Sequence, residues 1–344
     1  MIKTLIAFIL TSFFSAASFT HTIGTPPPVK RISLEAPLFA VGEGLKPSPT
    51  GGKPAAFAQA EGDELGQGII YQNSDFPQLI NGQKSFDGQL TARAALVMDV
   101  KSGLVFYDLS TDDVLPFASL TKLATALVFL KYHPGWDKIV PLIDADARDG
   151  NVAFIKIGEE VSTLDLFYAG LVGSDNTAAM ALARSTGLSE EEFVAEMNNL
   201  ADSLGLKQTS FVEPTGLNIN NRSTAGELAR LAHRAFRDPE IKRALATPYY
   251  QIKTRNTNRV VGIPSTNYLL TGAVKPSRLG YKILGGKTGY LKDAGYNFVT
   301  LTADQRGHEL LTIILGAESL YDRFTESQAL IDWVYTSYEW PIDQ

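Results

Sequence analysis

Apolar positions along the chain fall into three textures. Residues 5–19 form an apolar run broken only by Thr11, Ser12, Ser15 and Ser18. Over residues 22–90 apolar side chains such as Leu38, Phe39 and Phe57 are scattered with no sustained period, and from Ala92 the period returns. Residues 94–99 and 104–108 are short apolar runs on either side of Lys101-Ser102-Gly103, which predicts a hairpin. After Pro116, positions Leu120, Leu123, Ala124, Leu127, Val128 and Leu130 recur at helical spacing. Ser162-Thr163-Leu164-Asp165 and Ser189-Glu190-Glu191-Glu192 have the form of helix-starting boxes, and Thr224 with Glu227 opens another helix toward Arg237. Residues 296–303 and 309–317 predict a strand pair across the turn at 304–307, followed by a last helix over about 321–338. A strand pair, many helices, more strands and a final helix predict an α+β domain with a largely antiparallel sheet. Strict strand–helix alternation, the mark of a parallel sheet, is missing.

Composition narrows the picture. The chain has 344 residues, 44% of them hydrophobic and 20% charged, enough for a sizeable core. Lys plus Arg number 31 against 37 Asp plus Glu, a net charge of −6 that argues against a nucleic-acid binder. There are no cysteines, which excludes disulfides, thiol catalysis, cysteine-ligated zinc and lipid attachment through cysteine. His21, His133, His233 and His308 are isolated, with no His-Glu-x-x-His pair for zinc, and no Gly-x-Ser-x-Gly elbow is present. No cofactor or metal is therefore expected.

The N-terminal third has its own logic. Lys3, the apolar run and small residues at 15–18 follow the order of a secretory signal, over about 15 residues where a membrane-crossing helix needs ~20. Removal of Lys3 with it would leave 30 − 37 = −7. Residues 22–90 hold eight of the 17 prolines and ten glycines, a composition that buries too little to offset its ordering entropy. The expected layout is a signal at 1–21, a flexible arm at 22–91 and a catalytic domain at 92–344, exported to the periplasm or the outer face of a bacterial envelope.

Three short clusters carry candidate chemistry. In Ser119-Leu120-Thr121-Lys122 the hydroxyl and amine lie on one helical face. A serine needs a base within reach, and a lysine is a base only when desolvation or a nearby cation keeps it neutral. Ser174-Asp175-Asn176, between Gly173 and the helical run 177–183, taken alone reads as a helix cap rather than as a loop presenting a second hydroxyl and an amide. The third is Gly285-Gly286-Lys287-Thr288-Gly289 before Tyr290. Its Gly-Lys-Thr matches the tail of a phosphate-binding loop, but that pattern needs glycine where Tyr281 stands and a helix after it.

As an ordered set, Ser-x-x-Lys, Ser-x-Asn and Lys-Thr-Gly are the signature of class A β-lactamases and penicillin-binding proteins. The chain resembles the serine D-alanyl-D-alanine carboxypeptidases, the low-molecular-mass penicillin-binding proteins, from about Ala92 to Trp333. The residues of 92–99, 116–122, 211–217, 223–225, 287–290 and 294–296 carry the likeness. The resemblance implies a β-lactamase/DD-peptidase-like α+β fold, an antiparallel five-stranded sheet packed with helices plus an all-helical subregion. It implies cleavage of the D-Ala-D-Ala bond of peptidoglycan stem peptides, with β-lactam antibiotics as covalent inhibitors. In that scheme Ser119 is the nucleophile, Lys122 its base and Ser174 a proton relay to the leaving nitrogen. Lys287 holds the local potential positive, which helps keep Lys122 neutral. Asn176, Lys287, Thr288, Gly289 and Tyr290 bind substrate, Thr288 meets its carboxylate, and the N–H groups of Ser119 and Tyr290 form the oxyanion hole. Arg255 and Arg259 are not counted in the site. Glu213-Pro214 resembles the β-lactamase loop whose glutamate activates water, but the asparagine expected four residues on is displaced to Asn218. The alternatives are a DD-endopeptidase cutting cross-links, a serine β-lactamase, or a catalytically silent cell-wall binding protein. No stable C-terminal membrane anchor is expected, because the chain ends soon after the last helix.

Overall fold

The computed structural model describes residues 30–34, 76–80, 82–150 and 152–341. The expected signal and most of the expected arm lie outside the described residues. The centre is a five-stranded antiparallel sheet. In chain order its strands are β1 (Ala94–Asp99), β2 (Val105–Leu109), β3 (Lys282–Leu291), β4 (Gly295–Ala303) and β5 (Glu309–Ala317). Their spatial order is β3-β4-β5-β1-β2, so β3 and β2 are the edges. The β1–β2 hairpin and the β4–β5 pair fall where the apolar runs predicted them.

β1 is buried at every position. Its period of two sends Ala94, Leu96 and Met98 into the helical side of the core. Ala95 and Val97 face the opposite layer, a second cluster with Leu330, Ile331 and Val334 from the last helix.

The helices longer than one turn among the described residues are α1 (Lys122–Tyr132), α2 (Thr163–Val172), α3 (Asn176–Ser185), α4 (Glu190–Ser203), α5 (Ala225–Phe236), α6 (Pro239–Leu245) and α7 (Asp322–Ser337). The predicted caps explain three starts. Ser162 accepts from the N–H of Asp165, Ser189 from Glu192 and Thr224 from Glu227. α1 differs from the one-sided helix expected. It is buried from Lys122 through Phe129 because α2, α3, α4 and α5 all pack on it. Truncating a core phenylalanine such as Phe129 is expected to cost about 3–5 kcal/mol.

The ordered structure begins before Ala92. Within the span expected to be a flexible arm, Gln78–Leu79 pairs antiparallel with Tyr338–Glu339. Phe86 lies edge-on to Tyr107 and Trp333, and Thr91 donates through its N–H and hydroxyl to Glu326 at 2.7 and 2.6 Å. Arg31 bridges to Leu104, beside edge strand β2. A Pro/Gly-rich composition hid these contacts because each partner lies far away in sequence.

Candidate functional site

The turn that carries Ser119 is held from three directions. Leu115–Pro116 pairs with Arg222–Ser223, and the chain then enters a 3-10 turn, Ala118–Thr121, directly before α1. Three residues per turn eclipse i and i+3, so the side chains of Ser119 and Lys122 meet more directly than an α-helix would allow. Ala118 takes a positive φ of 50°. Two glycines permit the close approaches. A Cβ at Gly216, where φ is +87°, would sit 2.1 Å from the Ala118 carbonyl oxygen. One at Gly289 would lie 2.8 Å from the Phe117 oxygen and 3.1 Å from the Ser119 nitrogen. The second contact brings β3 alongside the serine.

Lys122 is the hub. Its Nζ stands 2.9 Å from Ser119 Oγ and donates to Asn176 Oδ1 at 2.6 Å and to the Thr215 carbonyl at 2.7 Å. Only 1% of the residue is exposed. Burial lowers its pKa to about 7, against the opposing pull of the Glu213 and Asp175 carboxylates. Two acceptors thus hold the two hydrogens of a neutral amine, leaving the lone pair for the serine hydroxyl.

Ser174, at a positive φ of 58°, precedes α3. Asp175 caps that helix, accepting from Ala178 N at 2.9 Å and from Phe154 N at 2.8 Å. The cap and the functional reading of this cluster therefore coexist. Its neighbours present their polar groups to the site while Asp175 fixes the backbone. Asn176 Nδ2 donates to the Asp149 carbonyl at 2.9 Å, which leaves its second N–H.

The third cluster is extended strand, with Lys287 paired to Val299 and Thr288 to Phe298, not a phosphate-cradling loop. Lys287 Nζ donates to Ser174 Oγ at 2.7 Å and to the Thr288 carbonyl at 2.9 Å. Thr288 Oγ1 donates to Thr266 Oγ1 at 2.6 Å. Gly289 is buried and Tyr290 exposed, its ring stacked on Tyr296 at 4.3 Å. Ser119, Lys122, Ser174, Asn176, Lys287, Thr288, Gly289 and Tyr290 thus form one connected region.

Burial, with repulsion from Lys122 and Arg323, holds the Lys287 amine well below the ordinary lysine range. Burial is the largest cause of the lowered Lys122. A further cation beside the site is Arg323 on α7. Burial lowers its guanidinium only to about 10, so it stays charged at neutral pH. It donates to the Gly289 carbonyl at 3.2 Å and lies near the Tyr296 and Phe324 rings. Sequence reasoning passed over Arg323 because a single basic residue in a helix carries no pattern.

Glu213 lies in the loop under the turn that carries Ser119. One carboxylate oxygen accepts from Thr215 N and Oγ1, the other from Gly216 N, Asn218 N and Asn221 Nδ2. That role is architectural. Arg259 is likewise taken up by Glu159 and the Phe154 carbonyl.

A sequence model described as D-alanyl-D-alanine carboxypeptidase, Peptidase S11, matches residues 81–319. A D-alanyl-D-alanine endopeptidase of Pseudomonas aeruginosa is 32% identical over 250 residues, covering 72% of this chain and 78% of that protein. The D-alanyl-D-alanine carboxypeptidase DacC of Escherichia coli is also 32% identical, over 265 residues, 72% of this chain and 62% of that protein. Among solved structures, penicillin-binding protein D2 of Listeria monocytogenes in its ampicillin-bound form superposes with a TM-score of 0.61. Its sequence identity is 30%, over 73% of this chain and 99% of that one.

Proposed function

The chain belongs to the D-alanyl-D-alanine carboxypeptidase family of serine peptidases, and from that premise we propose that Ser119 is acylated by the penultimate D-alanine of a peptidoglycan stem peptide. The observation that carries this reading is the buried Lys122 amine, 2.9 Å from Ser119 Oγ and with a pKa lowered to about 7. Neutral Lys122 takes the hydroxyl proton as Oγ bonds to the scissile carbonyl. The charge on the carbonyl oxygen is met by the N–H groups of Ser119 and Tyr290; one such donor typically contributes ~10²–10³ in rate. The C–N bond then breaks, and Ser174, hydrogen-bonded to Lys287, passes a proton to the departing D-alanine nitrogen. Water cleaves the ester and restores the serine. The exposed edge of β3 pairs with the extended substrate, the second N–H of Asn176 reaches its backbone, and Thr288 meets its terminal carboxylate.

A β-lactam enters the same scheme as a false substrate. Glu213 is committed to its own loop and is not offered to activate water, so the adduct is expected to persist. The substrate lies outside the cytoplasmic membrane, and the charge, apolar and small-residue order of residues 1–21 supports export. No helix among the described residues is long and apolar enough to cross a membrane.

Release of D-alanine from a stem pentapeptide, lost in Ser119→Ala, tests the assignment; retained release in that variant would overturn it. One observation favours a second reading, cleavage of D-alanyl cross-links. Two of the relatives, 32% and 29% identical, are named endopeptidases. Digestion of cross-linked muropeptides separates the two, through dimer loss or through D-alanine alone.

A further inference from the structure

Thr288 does not stand alone in the site. Its Oγ1 donates to Thr266 Oγ1 at 2.6 Å, a residue 22 positions earlier in the chain and outside the three sequence clusters. The loop that carries residue 266 is fixed at each step. Ser265 N donates to the Pro248 carbonyl at 2.9 Å, and Thr266 N to the Val172 carbonyl at 3.1 Å. Val172 ends α2, just ahead of Gly173 and Ser174. Asn267, only 1% exposed, accepts from Leu269 N at 3.1 Å. Thr266 itself is half-buried. Its hydroxyl is therefore held by anchored backbone and meets Thr288 from behind.

Each threonine hydroxyl carries one proton and two lone pairs, whereas a carboxylate only accepts. In the free protein Thr288 points its one proton at Thr266. To meet a carboxylate it must turn that proton toward the substrate, and its oxygen then faces Thr266 with a lone pair to fill. Thr266 has the proton that fills it, which no acceptor among the described residues takes.

We propose that Thr266 is a positioning residue for the terminal carboxylate of the substrate: as the carboxylate binds, both hydroxyls rotate, Thr288 donates to the carboxylate and Thr266 donates to Thr288. No proton changes oxygen; only the direction of the bond reverses. The inference rests on the acyl-enzyme reading above and adds to it the residue that orients Thr288. A hydroxyl that accepts one hydrogen bond donates a stronger one, so the reversed pair holds an anion better than Thr288 alone. With an apolar side chain at 266, the Thr288 oxygen loses that bond and its rotation is no longer fixed from behind.

The test uses the whole chain and two substrates that share one acyl-D-alanine. One is a peptide ending in D-Ala-D-Ala; the other is the ethanethiol ester of the same acyl-D-alanine, whose leaving group has no carboxylate. Release of D-alanine and of thiol gives kcat and KM for each. In Thr266→Val the ratio of kcat/KM, peptide over thioester, is expected to fall about tenfold, the size of one charge-assisted hydrogen bond. The fall should lie in the KM of the peptide and not in its kcat. Thr266→Ala, which leaves space where valine adds a methyl, should give the same fall, and Thr266→Ser should restore the ratio. All three keep the backbone bond to Val172, and damage to the loop would lower both substrates together. A ratio unchanged in both apolar variants, or a loss shared equally by the two substrates, overturns the proposal. A fall that Thr266→Ser does not reverse overturns it as well. A wild type that releases neither D-alanine nor thiol removes the acyl-enzyme reading itself.

Discussion

Acylation by benzylpenicillin should switch on as pH rises through neutrality, because it requires the uncharged form of Lys122. Burial moves that amine from 10.5 to about 7, roughly 5 kcal/mol in favour of the neutral form at about 1.4 kcal/mol per pH unit. At pH 7 about half the molecules then hold a free base, against roughly one in 3,000 at the ordinary lysine value. Quenched-flow mixing from pH 5 to 9, read as intact protein mass, gives the rate constant. Its logarithm should climb with a slope near one below neutrality and level off above pH 8. A profile flat from pH 5 to 9, or one still rising with full slope at pH 9, would refute the reasoning.

The same shift has a stability counterpart, and its sign can be worked out. Between about 7 and 10.5 the unfolded chain binds a proton at this lysine that the native state does not. Stability therefore rises with pH over that window. Lys287, also lowered by burial, acts in the same direction. Urea unfolding at pH 7 and pH 9 should show the gain, with a smaller difference in Lys122→Met.

Three further substitutions probe the support around the site. Gly216→Ala places a Cβ 2.1 Å from the Ala118 oxygen at a φ of +87°; it should lower stability by about 1–3 kcal/mol in thermal melts and slow acylation. Glu213→Gln removes a charge that binds five groups of its loop and should destabilise by about 1–3 kcal/mol. It should leave the lifetime of the penicillin adduct much as before, whereas a hydrolytic base at Glu213 would make that lifetime far longer in the variant. Ser189→Ala removes the cap that accepts from Glu192 N and should lower the urea midpoint, by an amount equivalent to about 0.5–2 kcal/mol.

Local signals carried much of the fold, and distance along the chain decided what stayed hidden. Ser162, Ser189 and Thr224 announce helices because a cap and its partner lie three residues apart. Residues 296–317 announce a strand pair because the turn is short. Ser119 and Lys122 were readable for the same reason, and their ordering with Ser174 and Lys287 supplied the rest. The Thr215 carbonyl was not readable, since any residue offers a carbonyl and only the loop held by Glu213 aims this one at Lys122. Arg323 escaped notice because its target is a backbone oxygen 34 residues away. The packing of residues 76–91 depends on Tyr338, Trp333 and Glu326, more than 200 positions later, where composition alone favoured a loose arm. The lowering of Lys122 needed burial, which spacing does not report.

The central claim is that Ser119 forms an ester with substrate-like carbonyls. Intact-mass analysis after benzylpenicillin, followed by peptide mapping, tests it most directly. The account predicts a lasting gain of one whole penicillin located on Ser119 and absent from Ser119→Ala; an unmodified protein, or an adduct at another residue, would contradict it.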